Sequence, residues 1–277
     1  AEHQALAAGG LVALVGGDVL LRAADRTIEY FRLDNALEAM NPGEPHGKTL
    51  NDLYHALIAL DHEKSRRRNV QFPEVRVENI WKIIIMMLKR HGYDPATMEL
   101  GAESDLAKCL AYYFQMHSNS RCLYPGVVDA LRRLREQNIR LGIVSNAQFY
   151  TPMDLTLFVR DQSEGRLDDY LELFDRELVY YSYEYGIAKP NPAMFRRLYD
   201  TLYEYHVLPR QTVFVGNDLV LDIGAAEEAG MKTALFTGDR HSTFVHERKG
   251  EIIPDLAFDG YAALHRKVNF HEKGATQ

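Results

Sequence analysis

The chain has 277 residues, 46% of them hydrophobic and 26% charged, and a formal net charge of -7 at pH 7. This is the composition of a globular protein long enough to bury a core, as one large domain or a domain carrying an inserted smaller one. The acidic balance excludes general nucleic-acid affinity through a basic surface, and no apolar run reaches the length of a membrane span.

Residues 11–15 are apolar, but no basic stretch precedes them, so no secretory signal is expected. From about residue 22 to 121 the pattern is mostly helical. Leu50, Leu53, Tyr54, Leu57 and Leu60 recur on one face, and Ile80, Ile83, Ile84, Met87 and Leu88 recur on another close to Trp81. Phe72-Pro73-Glu74 separates the two. The triplet Gly47-Lys48-Thr49 imitates the end of a phosphate-binding loop. The position five residues before its glycine is Pro42, however, and no strand precedes it, so it reads as a loop before a helix. The basic run at residues 64–68 reads as a solvated helix end. Tyr112, Tyr113, Phe114 and His117 form an aromatic run that could line a substrate pocket, although core packing is the commoner use of such a run. Cys109 and Cys122 belong to no CxxC or Cys/His cluster. Neither a disulfide framework nor a zinc site is implied, and a reducing cytoplasm suits them.

The second half alternates strand and helix signals. A helix follows Tyr124-Pro125-Gly126, with Val127, Leu131 and Leu134 on one side. Residues 140–144 read as a short buried strand that ends at Ser145-Asn146. A helix follows Lys189-Pro190-Asn191-Pro192, with Met194, Phe195, Leu198 and Leu202 on one face. Residues 212–215 read as a strand running into Gly216-Asn217-Asp218, and an Ala-rich helix from near Asp222 stops at Gly230. Residues 232–236 read as the next strand. Strands alternating with helices imply a parallel sheet with right-handed crossovers.

Ligands of such sheets bind at the C-terminal ends of the strands, which directs attention to three places. Ser145-Asn146 could hold a phosphate oxygen with a hydroxyl and backbone N–H groups, although both are also favoured helix N-caps. Lys189 offers a compact positive charge to an anion, although a lysine before a proline is ordinarily exposed. Asp218 and Asp222 lie on one face if their segment is helical and suit magnesium, which takes one or two carboxylates plus water and phosphate oxygens. Each is also what a helix N-terminus favours.

In this order along the chain, these motifs resemble the haloacid dehalogenase (HAD)-like hydrolase superfamily. Ser145 matches its second motif, Lys189 its third, and Asp218 with Asp222 its fourth, and the stretch from Phe174 to Gly186 resembles the lead-in to the lysine. The resemblance implies an α/β fold, a Rossmann-like parallel sheet with an inserted helical cap. Residues 1–21 with 122–277 are expected to form the core and residues 22–121 the cap. It also implies a magnesium-dependent hydrolase acting on a small phosphorylated molecule through an aspartyl-phosphate, with no nucleic-acid or membrane partner. Ser145, Lys189 and Asp222 are the expected catalytic residues and Asp218 and Asp222 the metal ligands. Asn146 and Asn217, their neighbours, are expected to touch the substrate.

The family's first motif, an aspartate nucleophile followed two residues on by a second acid, has no match near the N-terminus. One alignment places Leu6 at the nucleophile position, with Gly9 and residues 16–19 in register. A second takes residues 11–15 as the first strand, with Gly16 at that position and Asp18 as the surviving acid, although an Asp after Gly-Gly is ordinarily a turn residue. A third places the strand before Ala1. A catalytically inactive protein that binds an anion on the same fold is the alternative expectation.

Overall fold

The computed structural model describes residues 17–98, 103–118, 121–239, 243–244 and 252–267. The nucleophile position, whether Leu6 or Gly16, and the strand expected at residues 11–15 lie outside the described residues.

Its first half is helical: α1 (Gly17–Phe31), α2 (Asp34–Met40), α3 (His46–Arg67), α4 (Val77–Arg90) and α5 (Glu103–Ser118). These helices share one apolar core because each carries a buried stripe at three- and four-residue spacing. In α1 the stripe is Ala23, Ala24, Ile28 and Phe31, and in α4 it is Val77, Ile80, Trp81, Ile84, Ile85 and Leu88. Trp81, Tyr54 and Phe114 pack as a triangle of rings, with the Tyr54 and Phe114 centroids 5.7 and 5.5 Å from Trp81 and 5.2 Å from each other. Two expected core positions are wrong. Ile83 is 37% exposed and Leu60 is 60% exposed. The α4 stripe centres on Trp81, and Ile83 lies about 200° further round the helix. In α3 the half-buried positions run through Leu57, Ile58, Asp61 and His62, leaving Leu60 on the exposed side.

Helices α1 and α5 run antiparallel. Arg26 Nη1 lies 3.1 Å from His117 Nδ1, and Tyr30 stacks on Tyr113 with centroids 4.6 Å apart. The start of α1 therefore faces the end of α5, where the chain passes into the second half. There Arg121 Nη2 pairs with Asp154 Oδ2 at 2.6 Å, and Tyr112 Oη donates to Asp154 Oδ1 at 2.7 Å.

The second half contains α6 (Val127–Glu136), β1 (Ile143–Ser145), α7 (Thr151–Gln162), β2 (Val179–Tyr181), α8 (Ser182–Tyr185), α9 (Pro192–Glu204), β3 (Val213–Gly216), a π-helical turn (Leu219–Gly224), α10 (Ala225–Glu228), β4 (Lys232–Phe236), β5 (Leu256–Phe258) and α11 (Leu264–Lys267). Strand β1 pairs parallel with β2, and β3, β4 and β5 form a parallel set in that order. Alternate residues face opposite layers. Ile143, Val215, Ala234, Phe236 and Phe258 pack with α6 and α7 on one side. Val144, Tyr180 and Phe214 pack with α9 and α10 on the other. This is the three-layer α/β arrangement expected of a doubly covered parallel sheet.

Strand bounds differ from the reading of the sequence. β1 starts at Ile143 rather than residue 140, so Ser145 is its last residue, and β2 and β5 were missed. The segment after β3 is not a plain α-helix. It begins as the π-helical turn, and α10 follows. Between the edges of β1 and β3 runs a cavity of about 610 Å³, lined by Ile143, Val144, Leu178, Val213, Phe214 and Val215 among others. It is mostly apolar and lies behind the polar rim described next.

Candidate active site at the sheet rim

The C-terminal ends of β1 and β3 carry Ser145, Asn146, Asn217, Asp218 and Asp222, and Lys189, from the loop between α8 and α9, reaches both strand ends. Ser145 ends β1 with 1% exposure. Its Oγ has no hydrogen-bond partner among the described residues. A buried hydroxyl without a partner costs about 1–3 kcal/mol and marks a place where a ligand oxygen would be welcome.

Asn146, the next residue, is engaged with the lysine loop. Its Oδ1 accepts from Lys189 N at 2.7 Å, and its Nδ2 donates to Lys189 O at 3.2 Å. This two-sided clamp fixes the lysine backbone. Expected as a substrate contact, Asn146 serves here as a backbone brace.

Lys189 is 2% exposed, held in place as its flanking apolar residues and prolines suggest rather than exposed as a lone lysine ordinarily is. Its Nζ donates to Val144 O at 2.9 Å and to Asp222 Oδ1 at 2.7 Å. It also lies 5.3 Å from the Phe214 ring centroid. An ammonium has three donors, and two of them join the two strand ends through one side chain. Downstream, Asn191 caps α9 by accepting from Ala193 N at 2.9 Å, which holds the end of the loop.

The acids of the β3 edge are also in place. Asp222 Oδ2 accepts from Asn217 N and Asp218 N at 3.1 and 3.0 Å. Asp218 Oδ1 accepts from Val220 N and Leu221 N at 2.8 and 2.7 Å, the N-cap pattern its position favours. Gly216 permits this packing. A Cβ there would lie 2.3 Å from Asp222 Cβ, a distance no real side chain tolerates. Asn217 is buried and contributes its backbone N–H to Asp222.

Magnesium was expected on Asp218 and Asp222. Hard carboxylate oxygens are the right donors, but both Asp222 oxygens are engaged with Lys189 and two backbone N–H groups, and Asp218 caps the π-helical turn. Among the described residues no group of three or more His, Cys, Asp or Glu side chains is placed to hold a metal ion. The described residues therefore do not fit magnesium by themselves, and no step below passes through it.

Three residues of this region escaped the sequence reading as functional: Glu74, Gln148 and Ser182. Ser182, which is fully buried, hydrogen-bonds both Ala147 and Glu74. Its only sequence signal is its place in the lead-in to Lys189. Next to it, burial pushes the Tyr181 phenol far above its ordinary range, so it stays a neutral hydroxyl.

Lys189, Ser145, Asp218 and Asp222 thus lie at the C-terminal rim of a parallel sheet. The model of the haloacid dehalogenase-like hydrolases matches residues 71–230, more than half of the chain, and the protein belongs to that family. It is 30% identical to glyceraldehyde 3-phosphate phosphatase of Methanopyrus kandleri over 178 residues, 63% of this chain and 66% of that one. It is 34% identical to phosphoglycolate phosphatase of Cereibacter sphaeroides over 140 residues, 50% and 56% of the two chains. Matches to the glyceraldehyde 3-phosphate phosphatases of Methanopyrus kandleri, Pyrococcus abyssi and Pyrococcus furiosus span 66%, 41% and 46% of those relatives' lengths, in each case less than two thirds. The crystal structure of 2-haloacid dehalogenase from Pseudomonas syringae pv. tomato DC3000 superposes with a TM-score of 0.55 at 18% identity, covering 89% of this chain and 90% of that one. That likeness establishes the fold. Among the described residues no helix is long and apolar enough to cross a membrane.

Proposed function

We propose that this chain recognises the phosphoryl group of a small phosphorylated metabolite at the Ser145–Lys189 rim and hydrolyses the phosphate monoester. One observation carries the reading: Lys189 Nζ bridges Val144 O, the residue before Ser145, and Asp222 Oδ1, and the Ser145 hydroxyl has no hydrogen-bond partner among the described residues. A phosphoryl group carries spread negative charge, and fixed donors in a dry site stabilise it far more than water-exposed ones do. Similarity to two kinds of phosphatase supports a phosphate ester over a haloacid.

A second reading is favoured by a specific observation. Lys189 and Asp222 neutralise each other at 0% side-chain exposure, and neither Leu6 nor Gly16 supplies a carboxylate to attack phosphorus. On this reading the protein binds the phosphoryl group without turnover.

Hydrolysis of an aryl phosphate with and without added magnesium, alongside calorimetric titration with inorganic phosphate, separates the two. Turnover that disappears in Asp218→Asn supports the hydrolase. Saturable phosphate binding with equal background rates in both proteins supports the binder. Neither turnover nor binding would overturn the phosphoryl reading itself.

A further inference from the structure

The rim is braced from outside the core by a short strap, residues 71–77, that enters α4. Phe72 O accepts from Ala188 N at 2.8 Å, and Glu74 N donates to Gly186 O at 3.0 Å. These bonds form an antiparallel bridge, Pro73 to Ile187. Gln71 O accepts from Asn191 Nδ2 at 2.6 Å. The strap thus lies along the loop that carries Lys189.

Glu74 connects this strap to the other side of the rim. Its Oε2 accepts from Ser182 Oγ at 2.7 Å, and its Oε1 accepts from Gln148 Nε2 at 3.1 Å and Val75 N at 3.0 Å. Ser182 Oγ in turn accepts from Ala147 N at 2.8 Å. Gln148 returns to the strap, its Oε1 accepting from Val77 N at 3.0 Å and its Nε2 donating to Val75 O at 3.0 Å. Ala147 and Gln148 follow Ser145 and Asn146 directly. Gln148 and Ser182 are buried, so these bonds form in a medium where a misplaced polar group is costly.

We propose that Glu74 is a positioning residue for the phosphoryl-binding rim: a carboxylate from the helical half holds the Ser145 loop and the Lys189 loop in register through Gln148 and Ser182. The proposal rests on the phosphoryl reading above and adds a device by which the seating of the helical half sets the geometry of the site. Bonds to an ionised carboxylate are stronger than neutral ones. One carboxylate reaching two loops whose residues lie more than seventy positions away fixes a spacing that neither loop fixes alone.

The variants differ in a way that packing alone would not produce. In Glu74→Gln the amide oxygen can take the Oε1 role, accepting from Gln148 and Val75. The amide nitrogen then faces Ser182 Oγ, whose proton can turn to Ala147 O, 3.2 Å away. Glu74→Ala removes both links. Calorimetric titration of the full chain with inorganic phosphate should show affinity about tenfold weaker in Glu74→Ala, the loss of one charge-assisted contact, and within about threefold of wild type in Glu74→Gln. Amide exchange at Ala147 and Ala188 should quicken about tenfold in Glu74→Ala relative to amides in the middle of α9. The binding loss in the double variant Glu74→Ala/Ser182→Ala should be smaller than the sum of the two single losses, because both cut the Glu74–Ser182 link.

Unchanged exchange at Ala147 and Ala188 in a folded Glu74→Ala protein would overturn the proposal. So would additive losses in the double variant. If the wild type binds no phosphate, the phosphoryl reading fails, and the exchange comparison alone decides whether Glu74 holds the loops.

Discussion

The buried pair Lys189–Asp222 gives the sharpest quantitative test of how the rim is built. Both side chains are at 0% exposure, with 2.7 Å between Nζ and Oδ1. Replacing Lys189 with Met keeps the apolar stem and removes the charge. Asp222 then retains two backbone donors on Oδ2 but loses the partner of Oδ1. Removing one member of a buried pair costs about 3–5 kcal/mol, because the remaining charge is left uncompensated. An exposed pair would cost at most about 1 kcal/mol. The same variant frees Val144 O, whose donor was Lys189 Nζ, adding to the loss. Lys189→Met should therefore lower stability by about 4 kcal/mol, a large share of a typical total of roughly 5–15 kcal/mol. The double variant Lys189→Met/Asp222→Asn removes both charges and their desolvation, and should be more stable than Lys189→Met alone. Urea unfolding followed by far-UV circular dichroism measures each midpoint. A Lys189→Met protein within about 1 kcal/mol of wild type, or a double variant less stable than the single one, would refute the reasoning.

Three further outcomes follow from the same geometry. Asp218→Ala should cost about 1–2 kcal/mol by removing the acceptor of Val220 N and Leu221 N, and Asp218→Asn should recover most of it. Thermal unfolding of the two proteins checks the order, and equal midpoints would count against the cap. Gly216→Ala should lose soluble folded protein or displace Asp222, since its Cβ would fall 2.3 Å from Asp222 Cβ. A variant with the wild-type midpoint contradicts the close approach. The Tyr112 phenol is pushed up to about 12 by burial and by its bond to Asp154. The folded protein then holds this proton when the unfolded chain has released it, so stability falls as pH rises from about 10 to about 12. Tyr112→Phe should flatten that part of the stability curve, measured by urea midpoints at several alkaline pH values. An unchanged slope would mean that Tyr112 does not carry it.

Much of the α/β half was legible in the sequence because its periodicities are local. Strand β4 was read to the residue, as five positions of strand-forming sequence after the helix stop at Gly230. The face of α9 was also read correctly, since Met194, Phe195, Leu198 and Leu202 are all buried. Strands β2 and β5, three residues each, are too short to show a period. Ile83 and Leu60 misled because an apolar residue within an apolar-rich helix looks like part of its buried stripe until the facing helices are in place.

The site shows the same division. The sequence could place Ser145, Lys189, Asp218 and Asp222 at strand ends, but not show that Lys189 and Asp222 are joined or that Asn146 braces the lysine backbone. Those contacts span 33 and 43 residues. Glu74 was harder still. It meets Ser182 across 108 residues, and nothing near it in the chain marks it as more than a break between helices.

The account depends on the Ser145 hydroxyl and the Lys189 ammonium meeting one phosphoryl group. Calorimetric titration of inorganic phosphate into wild type and Ser145→Ala tests this most directly. Saturable binding at one site, about tenfold weaker without the hydroxyl, is the expected result. Equal affinity in the two proteins, or no binding in either, would contradict it.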